Sequence, residues 1–341
     1  MFEYALGMDL GTSSVLLYRP GKGIVLHEPA VVAANRCTGQ VVCAGESARR
    51  LLGRTPDNLV AVHPLSGGVI SDCGMTGQMI QEFLRKSGNS RLSRPNLLVC
   101  VPPLISELEE RAVVDAGLQA RAGKVYLLEE PVAAAAGAGI DPASAKGVLL
   151  VDIGAGTTDI AVLSFGAVVL AQSIRTAGNQ MDAAIQEYMR QAHQLDIGEC
   201  TAERMKNTIG GVLPREDVTE LTVRGRSHVT GLPDSVTVTS AELAEPLSVC
   251  VERILDAVCS VIAQAPPELV GDLTENGVVL TGGVSQLYGL GQVLSQRLGL
   301  QARFVDDPLT CVARGTADWL GRLNEWNEGP INLARRRLGF V

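Results

Sequence analysis

No apolar run in this sequence reaches the roughly 18–20 residues that a membrane-spanning helix needs. Its opening residues, MFEYALGMD, hold neither the basic stretch nor the cleavage site of a secretory signal peptide. Charged residues make up only 19% of the chain against 46% hydrophobic, a balance that excludes a disordered polymer. None of the eight cysteines falls in a C-x-x-C pair and the four histidines do not gather near them, which argues against a structural zinc site. Several cysteines sit in apolar, strand-like runs, such as Cys100 in LLVCVP, and free buried thiols fit a reducing compartment. The formal net charge of −8 gives bulk electrostatics that do not favour nucleic acid, so no nucleic-acid partner is expected. Together these absences lead to the expectation of a cytoplasmic protein that meets a membrane, if at all, from its surface.

What is present begins with length. The 341 residues suffice for two domains or one duplicated unit with a sizeable core. The first strand is expected over residues 4–10, followed by the polar turn Gly11-Thr12-Ser13-Ser14, a strand over 15–19 and a third over 24–26, which together read as an antiparallel meander. Helices are predicted over 75–86 and 106–122, the second with Ser106 as N-cap and Glu109 three residues later, a capping-box pattern. Short strands at 97–101 and 125–128 precede a helix of small residues over 131–138. The opening pattern then recurs. GMDLGTSSVLLY and LVDIGAGTTDIAVL both read as an apolar strand, an Asp, an apolar residue, a Gly, small polar residues and a further strand, with Asp152 standing 143 residues after Asp9. This is the mark of an internal duplication. The second half continues with strands at 148–153, 159–164 and 167–172, helices at 181–194 and 202–209, and a polar strand region at 219–224 and 235–239. A long helix at 241–263, a buried strand at 277–280 ending in Thr281-Gly282-Gly283, a helix at 287–298, a strand at 302–305 and a final helix at 311–322 complete it.

Two glycine turns, each just after a strand, can present backbone N–H groups to phosphate oxygens. Glycine permits close approach, and Thr12, Ser13, Thr157 and Thr158 add hydroxyls. Asp9 and Asp152 stand immediately before the turns, where they could hold a hydrated Mg2+, a cation that prefers oxygen ligands and keeps its waters. One such turn also arises as an ordinary β-turn; the pair is the stronger signal, since two facing loops can clamp a polyphosphate. Gly282 and Gly283 offer bare backbone for a flat adenine or ribose, or simply a strand-to-helix turn. Glu129 and Glu130 close an apolar strand, where one carboxylate could orient water against a γ-phosphate or be a solvated helix N-terminus that the helix dipole favours.

Together these elements resemble the nucleotide site of the actin, sugar-kinase and DnaK-type chaperone superfamily, with the motifs in the family's order. The resemblance implies ATP and Mg2+ as cofactors. Asp9, Gly11, Thr12 and Ser13 look like the first phosphate motif; Asp152, Gly154, Ala155, Gly156, Thr157 and Thr158 look like the second. Gly282, Gly283 and Val284 look like the adenosine motif, and Gly178, in TAGNQMD, like the turn after the third strand of the second domain. Glu203, Lys206 and Asn207, in AERMKNTIG, match the helix that holds ribose and adenine. Glu130 matches the residue that positions the attacking water, so the expected catalytic set is Glu130, Asp152 and Thr158, with Asp9 and Asp152 on the metal through water.

Within that superfamily the match narrows to the MreB/Mbl family, carried by GKGIVLHEPAVVA, LLGRTPDNLVAVHPLSGGVISD, YLLEEPVAAAAGAGI, VRGRSHVTGLPDSVTVTSAELAEPL and DDPLTCVARGTA. The implied fold is α/β and actin-like: two duplicated domains, each a mixed sheet flanked by helices, with a nucleotide cleft between them. Domain I is expected at 1–136 plus 306–341, with a small subdomain near 30–63; domain II is expected at 137–305, with a small subdomain near 180–243. The implied function is an ATPase that polymerises head to tail, the open-ended geometry that makes filaments, lies on the inner face of the cytoplasmic membrane and guides wall elongation with cell-wall elongation proteins. For the membrane, Met1, Phe2 and Tyr4, the loop Asn89-Ser90-Arg91-Leu92-Ser93-Arg94 and Arg335, Arg336 and Arg337 are the candidate contacts, against the plainer alternative of solvated segments.

The sequence departs from the family pattern at Ala155 and Val284, where glycines are usual, and at Asn179, usually acidic. An alanine in a turn needing φ > 0 would cost about 1 kcal/mol, so a paralogue that binds ATP but hydrolyses poorly stays open. A chaperone-like ATPase is disfavoured by the absence of an appended peptide-binding domain, and a small-molecule kinase by the absence of a recognisable sugar pocket and substrate-activating carboxylate.

Overall fold

The computed structural model describes residues 5–89, 94–141, 144–321 and 323. Met1, Phe2 and Tyr4, the loop residues 90–93 and the basic Arg335, Arg336 and Arg337, named above as candidate membrane contacts, lie outside the described residues. The chain divides into two compact units, Met1–Ala145 with Leu163–Ser173 and Leu309–Val341, and Lys146–Val162 with Ile174–Pro308.

The first five-stranded sheet has the order Val125–Glu129, Asn96–Val101, Ala5–Leu10, Ser14–Arg19, Gly23–Pro29. The last three form the expected antiparallel meander, while Ala5–Leu10 pairs in parallel with Asn96–Val101, setting Asp9 beside Cys100. Asn96–Val101 is buried along its whole length, the continuous apolar run of a parallel strand covered on both faces. Leu6, Met8, Leu17, Leu97, Val99 and Phe83 form the centre of this core. The helix Cys73–Lys86 starts at Asp72, whose side chain accepts from the Met75 amide at 2.8 Å. The helix Glu107–Gln119 starts at the expected capping box: the Ser106 amide donates to Glu109 Oε2 at 2.7 Å, and the Glu109 amide donates back to Ser106 Oγ at 3.3 Å.

The helix Glu130–Gly137 is built of small residues for a packing reason. It lies against the helix Cys311–Leu320, and glycines on both sides let the backbones meet. A Cβ on Gly315 would overlap the Ala133 carbonyl, and one on Gly137 would overlap the Cys311 carbonyl. This contact fixes the helix whose first residue is Glu130.

The second five-stranded sheet has the order Ala167–Ile174, Thr158–Ser164, Val148–Ile153, Val278–Thr281, Ala302–Phe304. In each sheet the first strand of its half is central, flanked on one side by the two strands that follow it and on the other by two that come later. The duplication read in the sequence is therefore a duplication of sheet plan. Asp9 and Asp152 occupy the same place in the two, near the carboxyl end of the central strand, where open α/β sheets put their ligands.

The structure also departs from the sequence expectation. Three short antiparallel strands, Val41–Ala44, Val32–Asn35 and Leu59–Val62, form a sheet of their own. A helix at Pro267–Asn276 was not expected; Pro267 occupies its first turn, where its missing N–H costs nothing. The helix expected over 287–298 is instead a 3-10 turn at Gly283–Gln286 followed by an α-helix at Leu290–Leu298.

Replacing Gly315 by Ala should lower stability by about 1–3 kcal/mol or more through overpacking against Ala133, measured as the urea midpoint; an unchanged midpoint would mean that this helix pair is not close-packed.

Candidate functional site

The two glycine turns are closed by the same hydrogen bond. The Gly11 amide donates to the Ser14 carbonyl at 3.1 Å, and the Gly154 amide donates to the Thr157 carbonyl at 3.0 Å. The two glycines differ in what they allow: a Cβ on Gly11 would stand 2.9 Å from the Ser14 carbonyl, too close for a side chain, and one on Gly154 would meet the Thr157 carbonyl at 3.4 Å, an ordinary contact. Left-handed backbone is not what either turn requires, because Gly11, Gly154, Ala155, Gly156 and Val284 are all absent from the positive-φ residues. The strain expected at Ala155 is therefore not present, and Val284 likewise sits in ordinary backbone. Gly282 does carry a positive φ of 82°.

The second turn is held from behind by the helix Gly178–His193. The Gly178 amide donates to the Gly154 carbonyl at 3.1 Å and the Asn179 amide to the Ala155 carbonyl at 2.8 Å. These are the orphan first-turn donors of the helix, which has no side-chain cap hydrogen bond at Ala177. The consequence for the turn is directional. No cis peptide bond occurs among the described residues, so C=O and N–H point in opposite directions within each peptide plane. With the Gly154 and Ala155 carbonyls facing the helix, the amides of Ala155 and Gly156 point away from it. The amides of Ala155, Gly156 and Thr157, and those of Thr12 and Ser13 in the first turn, have no hydrogen-bond partner among the described residues.

The hydroxyls are more committed than the sequence suggests. Thr158 is fully buried and donates to the Thr176 carbonyl at 2.8 Å. Thr157 Oγ1 donates to Asp159 Oδ2 at 2.9 Å, and Thr12 Oγ1 accepts from the Gly68 amide at 3.0 Å. Thr12 and Thr158 thereby brace their turns. Ser13 uses its carbonyl, accepting from the Ala30 amide at 2.8 Å.

Around the second turn the other predicted residues converge. Gly282 packs so close to the Asp152 carboxyl and the Ile153 carbonyl that a Cβ there would overlap both, and its own amide donates to the Pro308 carbonyl at 3.2 Å. Gly283 opens the 3-10 turn, with Val284 buried inside it. A Cβ on Gly178 would come within 3.1 Å of Lys206 Nζ, 3.1 Å of Val284 Cγ2 and 3.2 Å of Ala155 Cα, so the phosphate, adenosine and helical motifs meet there. On the helix Glu199–Ile209, Glu203, Lys206 and Asn207 share one face by their spacing. Lys206 is buried and Asn207 exposed. Asp152 is 8% exposed at the end of its strand. In the other unit Glu129 is buried at a strand end, and Glu130, half-buried, begins the following helix. One residue of this neighbourhood had no sequence signal: Asp182, which takes Lys206 in an ion pair.

Asp9 carries the strongest electrostatic signature. Burial pushes its carboxyl from the usual range up to about 7. A raised carboxyl favours the folded state below the ordinary Asp range, and that contribution is lost as pH rises through about 7. The ligand-free wild type should therefore lose stability relative to Asp9→Asn between pH 5 and 8, by on the order of a few kcal/mol; parallel melting curves would contradict this. At the neighbouring turn, Ala155→Gly should destabilise by about 0.4–1 kcal/mol, since Ala155 sits in ordinary backbone and glycine only loosens the unfolded chain. A rise in melting temperature would restore the expectation of strain.

The family model described as MreB/Mbl protein matches residues 3–328. The chain is 42% identical over 326 residues to the cell shape-determining protein Mbl of Bacillus subtilis, covering 95% of this chain and 98% of that one. It is 42% identical over 321 residues to the cell shape-determining protein MreB of Escherichia coli, covering 92% of each. Among solved structures, MreB5 of Spiroplasma citri bound to AMPPNP superposes with a TM-score of 0.90 at 31% identity, covering 95% and 98% of the two chains. Its ADP-bound form gives 0.89 at 32%, with the same coverage. The fold is the actin-like one expected from the sequence, with two sheet-bearing halves built on one plan. The chain belongs to the MreB/Mbl family of cell shape-determining proteins.

Proposed function

We propose that this protein binds Mg-ATP, polymerises head to tail beneath the inner face of the cytoplasmic membrane and organises cell-wall elongation. The observation that carries the nucleotide reading is the pair of like-closed turns, each two residues after an Asp, whose amides are left unpartnered and, in the second turn, directed away from the supporting helix. Such amides suit phosphate oxygens. The Spiroplasma citri MreB5 structures, one bound to AMPPNP and one to ADP, support the same reading by relationship.

In this reading Gly11, Thr12 and Ser13 and Gly154, Ala155, Gly156 and Thr157 receive the phosphates. Gly282, Gly283 and Val284 receive the adenosine, with Glu203, Lys206 and Asn207 alongside. Glu130 orients the attacking water, and Asp152 and Thr158 hold the second turn in register for it. Two carboxylates fit a magnesium ion by their chemistry, since Mg2+ characteristically takes one or two carboxylates, with waters and phosphates for the rest. Asp9 and Asp152 would hold it through water, and when bound it would offset the charge of the phosphates. Burial holds the Asp9 carboxyl up at about 7, and a nearby cation would favour its charged form.

Domain I is assigned to 1–136 with 306–341 and domain II to 137–305, each with its small subdomain. Polymerisation, attachment to the membrane surface and the cell-wall partners rest on family membership and on relatives named cell shape-determining proteins. No helix among the described residues is long and apolar enough to cross a membrane.

The test is co-sedimentation with anionic liposomes, with and without Mg-ATP. Wild type should pellet in an ATP-dependent manner. Asp152→Ala should lose that dependence and bind a fluorescent ATP analogue at least tenfold more weakly. No pelleting and no filaments under any nucleotide would refute the cytoskeletal reading.

A further inference from the structure

The ion pair between Lys206 and Asp182 has no role in the reading above, yet it connects to the second phosphate turn through an unbroken series of hydrogen bonds. The two side chains are 8% and 13% exposed and meet at 2.9 Å across residues 24 apart in sequence. Lys206 Nζ also donates to the Gly178 carbonyl at 3.1 Å. That carbonyl belongs to the peptide whose N–H, on Asn179, donates to the Ala155 carbonyl at 2.8 Å. The Ala155 carbonyl in turn belongs to the peptide whose N–H is on Gly156, one of the amides without a partner among the described residues.

We propose that Asp182 is a positioning residue for phosphate binding: it holds the Lys206 ammonium on the Gly178 carbonyl, and through two peptide groups in series it orients and polarises the Gly156 amide. The ammonium draws electron density from the Gly178 carbonyl, which strengthens the Asn179 donor; that bond in turn draws on the Ala155 carbonyl and leaves Gly156 N–H more positive. Hydrogen bonds in a chain reinforce one another in this way. Asp182 also neutralises a lysine that would otherwise be a buried unpaired cation, the costly outcome when one partner of such a pair is removed. Lys206 thus acts behind the turn, with its ammonium engaged by Asp182 and Gly178. The space confirms how tightly this is set, since a single added carbon at Gly178 would press on Lys206, Val284 and Ala155 together.

The inference rests on the second turn being the phosphate site. It is tested by measuring Mg-ATP, ADP and adenosine affinities, by competition against a fluorescent ATP analogue, for wild type, Asp182→Asn, Asp182→Glu, Lys206→Met and the Asp182→Asn/Lys206→Met double variant. Asp182→Asn should weaken Mg-ATP and ADP at least fivefold while adenosine changes less than twofold, and Asp182→Glu should recover part of the loss. The double variant should match Lys206→Met alone, because Asp182 acts through Lys206. Should Asp182→Asn fail to fold, the double variant, which buries no unpaired charge, must still bind Mg-ATP and ADP at least fivefold more weakly than wild type. Wild-type Mg-ATP binding with Asp182→Asn unchanged, with equal losses for adenosine and ATP, or with additive single effects overturns the positioning role alone. A wild type that binds no nucleotide overturns the phosphate-site reading and this role with it.

Discussion

The site depends on one short hydrogen bond made twice: the amide of a glycine reaching the carbonyl three residues on, at Gly11 and at Gly154. Closing the chain so tightly at the end of the first central strand demands a residue with no Cβ at Gly11, whereas at Gly154 a Cβ would make only ordinary contact. In the second half, bonding from the helix Gly178–His193 draws the turn's carbonyls to one side, and trans geometry sends its amides to the other. The structure thus carries backbone donors that it does not itself satisfy, and an unsatisfied donor held from water costs about 1–3 kcal/mol. An anion would relieve that cost, which is the physical ground for the phosphate role proposed for these turns.

Holding such a turn requires rigid support, and both halves supply it with small residues. In one, Gly137 and Gly315 let two helices touch backbone to backbone behind Glu130; in the other, Gly178 and Gly282 let a helix and a strand end press against the second turn and Asp152. Small residues are therefore placed where backbone must approach backbone or a carboxylate, and only some of them, Gly282 among those at the site, are needed for a positive φ. This also explains why Ala155 is tolerated: the second turn asks for no left-handed backbone at that residue.

Much of this was legible in the sequence because its causes are local. The repeated Asp, apolar residue, glycine and small polar run marks both strand ends, and Ser106 with Glu109 marks a helix start by a bond between near neighbours. The strands Val32–Asn35, Val41–Ala44 and Leu59–Val62 were harder, being four residues each; the last two are only partly buried, so they show no clean alternation. The start of the helix at Gly178 was placed three residues late, because its caps are the carbonyls of Gly154 and Ala155, distant in sequence. Asp182 was missed for the same reason: its meaning lies in a partner on another helix. Family resemblance supplied Lys206 but not what holds it.

Hydrogen exchange in solution, read with and without Mg-AMPPNP, tests the central claim most directly, because it reports on the amides themselves. Slowed exchange is expected at Thr12 and Ser13 and at Ala155, Gly156 and Thr157 together, with little change in the helix Glu107–Gln119. Nucleotide binding that leaves both turns exchanging as before would contradict the assignment of these amides to phosphate.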